Sequence, residues 1–222
     1  MDTDFGTEPR RETLSSGHIL VTYPDGRTVV ETPEHVFLAE CGVPEKYREF
    51  ANNPISDRAG HREIMETETL GIMMPNLIYI SGGVGTGKSH MATWLWWQIA
   101  KAKFYEASDF PHQARWTDGY SFTSEMKRFS EEKFSVLEQL HEYTRHQMRT
   151  LLIDDVFADR ATDVDYQNLA QLVEIRRNDI AQHTILTGML SLYEIKKRSE
   201  RLADRLAGGR VIVCEGPSWR LR

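Results

Sequence analysis

Apolar and polar positions alternate along this chain in two rhythms. Short apolar runs read as buried strands: 76–81 (Asn-Leu-Ile-Tyr-Ile-Ser), 114–117, 150–155, 184–187 and 210–214. Between them lie segments free of Gly and Pro, or with apolar residues spaced three and four apart, that read as helices: 91–103, 120–129, 131–148, 165–181 and 194–206. In 131–148 the spaced residues are Phe134, Leu137, Leu140 and Tyr143. The segment 194–206 is basic and closes on Gly208-Gly209. In the first of these helices, Met91, Trp94, Leu95 and Gln98 share one side, as for a core face. The tryptophans read first as filling the sheet–helix core; Trp94, Trp96 and Trp97 cannot all point one way, however, so one of them is also a candidate interface anchor.

The N-terminal part has a different pattern. Residues 1–17 are polar and read as a mobile lead-in. His18–Tyr23 and Thr28–Thr32 are β-rich runs around Pro24-Asp25-Gly26-Arg27, which predicts a hairpin. A lone hairpin is barely stable, so it must pack on something, and its own domain is the first expectation. Residues 33–51 read as a helix in two pieces, split by Gly42-Val43-Pro44; 52–60 is a loop, and 61–70 a charged helix. The expected division is an extension at 1–35 and a main domain at 36–222.

Composition adds limits. A chain of 222 residues with 40% hydrophobic and 27% charged content suits one sizeable α/β domain with a small appendage. A net charge of −6 argues against a surface coated in basic charge and leaves only local basic patches for nucleic acid. Cys41 and Cys214 lie far apart, with no disulfide framework or zinc pattern, as expected in the cytoplasm. No apolar run approaches membrane-spanning length, and the first residues do not resemble a signal peptide.

The chemistry concentrates at Gly82-Gly83-Val84-Gly85-Thr86-Gly87-Lys88-Ser89, which fits G-x-x-x-x-G-K-[ST]. Glycines let the backbone curl so that successive N–H groups face an anion. Lys88 would reach the β- and γ-phosphates of ATP, and the Ser89 hydroxyl would ligate Mg²⁺. The helix beginning there adds its positive dipole end, and His90 follows directly. An apolar run before and a helix after are the context this loop needs. Downstream, Leu151-Leu152-Ile153 ends in Asp154-Asp155, the form of a Walker B strand. Asp154 would hold Mg²⁺ through water, and Asp155 would orient and deprotonate an attacking water.

The order of these parts resembles an AAA+ ATPase, and in detail the DnaC/IstB-type branch of helicase loaders and transposase-assisting ATPases. Gly42-Val43-Pro44-Glu45-Lys46-Tyr47-Arg48 is similar to that branch's G-[IV]-P-x-x-[YF]-R segment, which brings Val43 into the nucleotide-contacting set. Glu174-Ile175-Arg176 with Thr184-Ile185-Leu186-Thr187, and Arg201-Leu202-Ala203-Asp204-Arg205-Leu206, resemble further motifs of the branch. The likeness covers roughly 36–222. It implies a three-layer sandwich around a parallel five-stranded sheet, with no helical lid after the last strand. It also implies ATP at an interface between protomers, with Arg205 as the finger toward a neighbour's γ-phosphate, or Arg201 one turn earlier. The implied partners are a replicative helicase or a transposase, single-stranded DNA, and further copies of the chain.

The sequence departs from that pattern in places. Met189 stands where the branch has a sensor Asn, and Thr187 is a partial substitute. The hairpin replaces the cysteine-bearing module of zinc-containing loaders. Lys127-Arg128, Arg145 with Arg149, and Lys196-Lys197-Arg198 are candidates for a DNA track, although each reads first as a solvated helix face. His141 and His146 read as surface residues, not metal ligands. A small-molecule P-loop kinase, with Arg201, Arg205 and Arg210 in its lid, is the alternative of a different class; the Asp154-Asp155 pair speaks against it. A non-hydrolysing ATP sensor is a third, supported by Met189 alone.

Overall fold

The computed structural model describes residues 8–55, 58–69, 75–104, 113–131, 136–144, 147–157 and 161–219. Arg145, His146 and most of the expected loop at 105–113 lie outside these residues, as do 132–135 of the helix expected at 131–148, Phe134 among them.

The order of elements is β1 (Arg10–Thr13), β2 (Ile19–Thr22), β3 (Thr28–Glu31), α1 (Glu34–Glu40), α2 (Glu45–Arg48), a 3-10 turn (Glu49–Ala51) and α3 (Ala59–Thr69). Then follow β4 (Leu77–Gly82), α4 (Lys88–Phe104), β5 (Ala114–Asp118), α5 (Gly119–Glu131), α6 (Val136–Thr144) and β6 (Thr150–Asp154). The chain closes with α7 (Asp163–Arg177), β7 (His183–Gly188), α8 (Leu192–Arg198), α9 (Glu200–Ala207) and β8 (Arg210–Cys214).

The second group of strands forms a five-stranded sheet in the order β5-β6-β7-β4-β8, with every neighbouring pair parallel. Strand β7 therefore lies between the glycine-loop strand β4 and the acid-bearing strand β6. The central strands β4, β6 and β7 are buried almost throughout because both faces are covered, whereas the edge strands β5 and β8 carry Arg115 and Arg210. Alternate residues divide between the layers: Ile78 and Ile80 join the core under α4, whereas Leu77 and Tyr79 join the core under α6–α9. The result is an α/β three-layer sandwich.

Helix α4 corrects one expectation. Trp94, Trp96 and Trp97 are all buried, so none is an exposed anchor. α1, the 3-10 turn and α3 cover the side of this helix turned away from the sheet, bringing Phe37, Leu38, Ala51 and Ile64 into the same core. Phe37 and Trp97 rings stand 5.3 Å apart.

The segment expected to be mobile contains a strand instead. β1 pairs antiparallel with β2, which pairs with β3, so the hairpin is the larger part of a three-stranded sheet. Its turn closes with Tyr23 N–H on the Arg27 carbonyl and Gly26 N–H on the Tyr23 carbonyl, with Gly26 at φ 82°. The sheet packs on α1: Val21 is buried, Gly17 abuts Val36, and His18 approaches Glu40 at 3.3 Å.

The helix expected at 194–206 is two helices. Ser199 is extended and caps α9, accepting from Leu202 N–H at 3.3 Å, while Ser191 and Glu194 form a capping box on α8. Buried Arg176 ties this side together, donating to Thr184 Oγ1 and to the carbonyls of Tyr143, Met148 and His183 at 2.7–2.9 Å. Burial pulls its guanidinium down to about 9, the Asp179 charge opposes this, and these bonds pair its donors. No helix among the described residues is long and apolar enough to cross a membrane.

Candidate functional site

Residues 82–89 leave β4 and run into α4 as a tight loop. Gly82 (φ 150°), Gly85 (φ 73°) and Gly87 (φ 89°) are in conformations that L side chains rarely adopt. Space forbids side chains there as well: a Cβ on Gly82 would sit 2.2 Å from the Cys214 carbonyl, and one on Gly85 1.9 Å from Ser218 Oγ. Lys88 is buried at the first turn of α4 and donates to the Gly83 carbonyl at 2.7 Å, as does Thr86 Oγ1 at 2.9 Å.

Strand β6 delivers Asp154 to the same place. Thr187, at the end of β7, donates its hydroxyl to Asp154 Oδ1 at 2.6 Å and accepts Asp155 N–H at 2.9 Å. Val156 N–H then donates to the Thr187 carbonyl at 2.9 Å. These contacts hold Asp155 at φ 57°, the sole non-glycine positive φ among the described residues, with its carboxylate in solvent. Asp154 is 5% exposed. Burial pushes its carboxyl above the usual carboxylate range, against hydrogen bonds from Thr187 and Ser89 and the charge of Lys88.

Around these groups is a cavity of about 780 Å³. Val84, Gly85, Gly87, Lys88, Ser89, His90, Asp154, Asp155, Thr187 and Met189 line it, together with Tyr47, Phe50, Asn53, Pro54, Ile55 and Trp219. His90 stacks on Phe50 at 3.9 Å and bonds the Asn53 carbonyl. Burial holds its imidazole below the usual value. Val43 is not on the wall: it is 1% exposed within the α4 core, and its carbonyl accepts from Arg48 Nε at 3.1 Å. Its Gly-Val-Pro segment contributes instead through the α2 that follows, which places Tyr47 at the cavity.

Arg205 is elsewhere. On α9 it pairs with Glu174 of α7 at 2.7 Å, and Arg201 pairs with the same oxygen at 2.6 Å. Neither lines the cavity of its own chain. Lys127, Arg128, Arg149, Lys196, Lys197 and Arg198 are exposed, and Lys196 pairs with Glu200 at 3.5 Å. No cluster of His, Cys and acids suited to a metal occurs among the described residues.

Several residues on the cavity wall or behind the glycine loop escape a motif reading. Arg58 and His61, at the start of α3, both reach the Thr86 carbonyl, at 3.3 and 2.8 Å. Phe50, Asn53 and Ile55 come from the covering layer, and Trp219 from beyond β8.

No protein-family model matches the chain, and no curated protein does. Solved structures do resemble its fold. The DnaC helicase loader aligns with a TM-score of 0.58 at 15% identity, over 78% of this chain and 100% of that one. Domain III of the Thermotoga maritima replication initiation protein DnaA aligns with a TM-score of 0.60 at 19% identity, over 76% and 67%. The replication initiator DnaA bound to AMPPCP and single-stranded DNA aligns with a TM-score of 0.60 at 18% identity, over 79% and 52%. The chain thus spans about half of that last protein, and 49% of another described as a DNA replication initiation factor. The chain shares the α/β fold of these DnaC and DnaA structures.

Proposed function

We propose that this chain binds magnesium–ATP in the 780 Å³ cavity, hydrolyses it between protomers, and uses the cycle to load or remodel a replicative helicase on single-stranded DNA. One observation carries the reading. Lys88 and the Asp154-Asp155 pair, distant in sequence, line one cavity, with Thr187 bridging the two acids from the intervening strand.

The residues suit the ligand. Gly82, Gly83, Val84, Gly85, Thr86 and Gly87 offer backbone amides to phosphate oxygens, and Lys88 adds an ammonium. Ser89 Oγ and the Asp154 carboxylate are hard oxygen donors, the type Mg²⁺ takes. The metal would neutralise charge on the terminal phosphates. Asp155, open to solvent at the cavity, would accept a proton from water. Thr187, which donates to the Asp154 carboxylate and accepts the Asp155 main-chain N–H, would be the partial substitute for the sensor Asn whose place Met189 takes. Arg205 would serve a neighbouring copy. The partners are inferred from what the structural neighbours are described as being or binding: a helicase loader, and an initiator with AMPPCP and single-stranded DNA.

Calorimetry with MgATP tests the first step, and a flat trace for the intact chain ends this reading. Phosphate release without any acceptor separates an ATPase from a small-molecule kinase. Capture from source-cell extract with ATP should recover a hexameric helicase; recovery of a transposase would move the chain to the transposition branch.

A further inference from the structure

The sheet order fixes the two ends of the cavity. Asp154 and Thr187 come from β6 and β7, on one side of β4; β8 and the residues after it lie on the other side. If the phosphates end at the acids, as proposed above, the base lies toward β8. There the chain turns through Gly216 (φ 118°) and runs back along the glycine loop.

That return is built, not loose. Trp219 N–H donates to the Gly85 carbonyl at 2.8 Å. Ser218 fills the space beside Gly85 that a side chain there would need. Arg58 donates to the Thr86 carbonyl at 3.3 Å and to the Pro217 carbonyl, and its guanidinium lies 5.1 Å from the centre of the Trp219 ring. One arginine thus ties the loop, the returning strap and the indole together. Trp219 lines the cavity, whose aromatic wall also includes Tyr47 and Phe50.

We infer that Trp219 is the base-side wall of the nucleotide site, a residue that binds the purine ring and does not touch the phosphates. The inference rests on the ATP-binding reading. An indole positioned by a main-chain bond and a guanidinium offers a flat apolar surface at little ordering cost. Because the strap sits directly on Gly85, filling the site also fixes the strap.

The test compares MgATP with magnesium tripolyphosphate, in wild type and in Trp219→Ala. Stacking on an aromatic side chain predicts MgATP affinity weaker by about tenfold, with tripolyphosphate unchanged. Trp219→Phe, which keeps a ring and guards against a folding artefact, should fall between the two. Equal loss for both ligands would assign Trp219 to holding the glycine loop and overturn the inference; no loss for either would place the base elsewhere. Fluorescence gives an independent readout. Trp94, Trp96, Trp97 and Trp116 are at most 7% exposed, so the emission change on adding MgATP should arise from Trp219 and vanish in Trp219→Phe. A change that persists in that variant counts against the assignment. A wild-type protein that binds no MgATP would instead sink the nucleotide reading itself, and the wall with it.

Discussion

Lys88 and Arg205 are the two cations the proposed reaction needs most, and the helices that carry them are built in opposite ways. Helix α4 is enclosed: the sheet lies on one side and α1, the 3-10 turn and α3 on the other, with three tryptophans buried along it. Lys88 at its start is 8% exposed and bonded within its own loop. Helix α9 covers the opposite face in a single layer. It buries Leu202, Ala203 and Leu206 and turns Arg201 and Arg205 outward onto one shared carboxylate. A group used inside its own chain can be held by packing. A group meant for another chain must be held only by contacts that can be exchanged, and an exposed ion pair is such a contact.

Removing each cation in turn should have different consequences. Lys88→Ala should weaken MgATP binding by about 100-fold or more and abolish turnover, at any protein concentration. Arg205→Ala should leave MgATP affinity within about twofold and lower turnover by about 10³-fold. Wild-type turnover per protomer should rise with protein concentration, since the site would be completed by a neighbour. Undiminished turnover in Arg205→Ala, or turnover independent of concentration, would return Arg205 to a plain surface pair.

What could be read from the chain alone follows the same divide between local and remote causes. The glycine loop was legible because its backbone demands are met by residues adjacent in sequence, and Gly82, Gly85 and Gly87 do take positive φ. The acid pair was legible because an apolar run ending in two carboxylates marks a strand that carries charge at its end, and Asp154 is the last residue of β6. The burial of Trp94, Trp96 and Trp97 was not, because their cover comes from residues 37–64 and no helix reveals its own lid. Strand β1 was hidden because all four of its residues are exposed and polar; it is a strand through pairing with β2 alone. The break at Ser199 was missed because Leu202 stands where a capping box would carry an acid, in contrast to Ser191 and Glu194. Nothing near Trp219 in sequence ties it to Gly85, and Val43 sits in a matching motif yet faces the core.

Asp154 offers a smaller test, through stability. Its carboxyl titrates higher in the folded chain than in the unfolded one, chiefly because it is buried. The folded state therefore holds the proton more tightly, and stability falls as pH rises between the two values. Above the raised value the ionised group carries that cost in full. Asp154→Asn removes the charge, and its amide oxygen can still accept from Thr187. The ligand-free variant should be more stable by about 1 kcal/mol, or about 3 °C in melting temperature at this size, while losing MgATP turnover. The difference should shrink as pH is lowered toward the ordinary carboxylate range. A melting temperature at or below wild type at neutral pH would mean that Asp154 is held by its partners more strongly than burial opposes it.

The smallest effect expected is at Glu174, and it bears most directly on how α9 is used. Two guanidiniums share its carboxylate, and their hydrogen bonds, Arg201's first, hold it below the usual carboxylate range. Whatever stability this gives is present above the ordinary value and lost as pH falls through the lowered one. The group lies at the surface, so water and salt screen it, and Glu174→Gln should leave the melting temperature nearly unchanged. Its consequence should appear in assembly. A carboxylate that holds Arg205 at home competes with a neighbour's phosphates, and a neutral amide competes less. The protein concentration giving half-maximal turnover should therefore drop by about twofold to fivefold in Glu174→Gln, with turnover at saturation unchanged. An unchanged midpoint would show that the pair does not restrain Arg205. A fall in saturating turnover would show that Glu174 aims Arg205 at the neighbouring site, and then the surface pair would be part of the machinery and not its resting place.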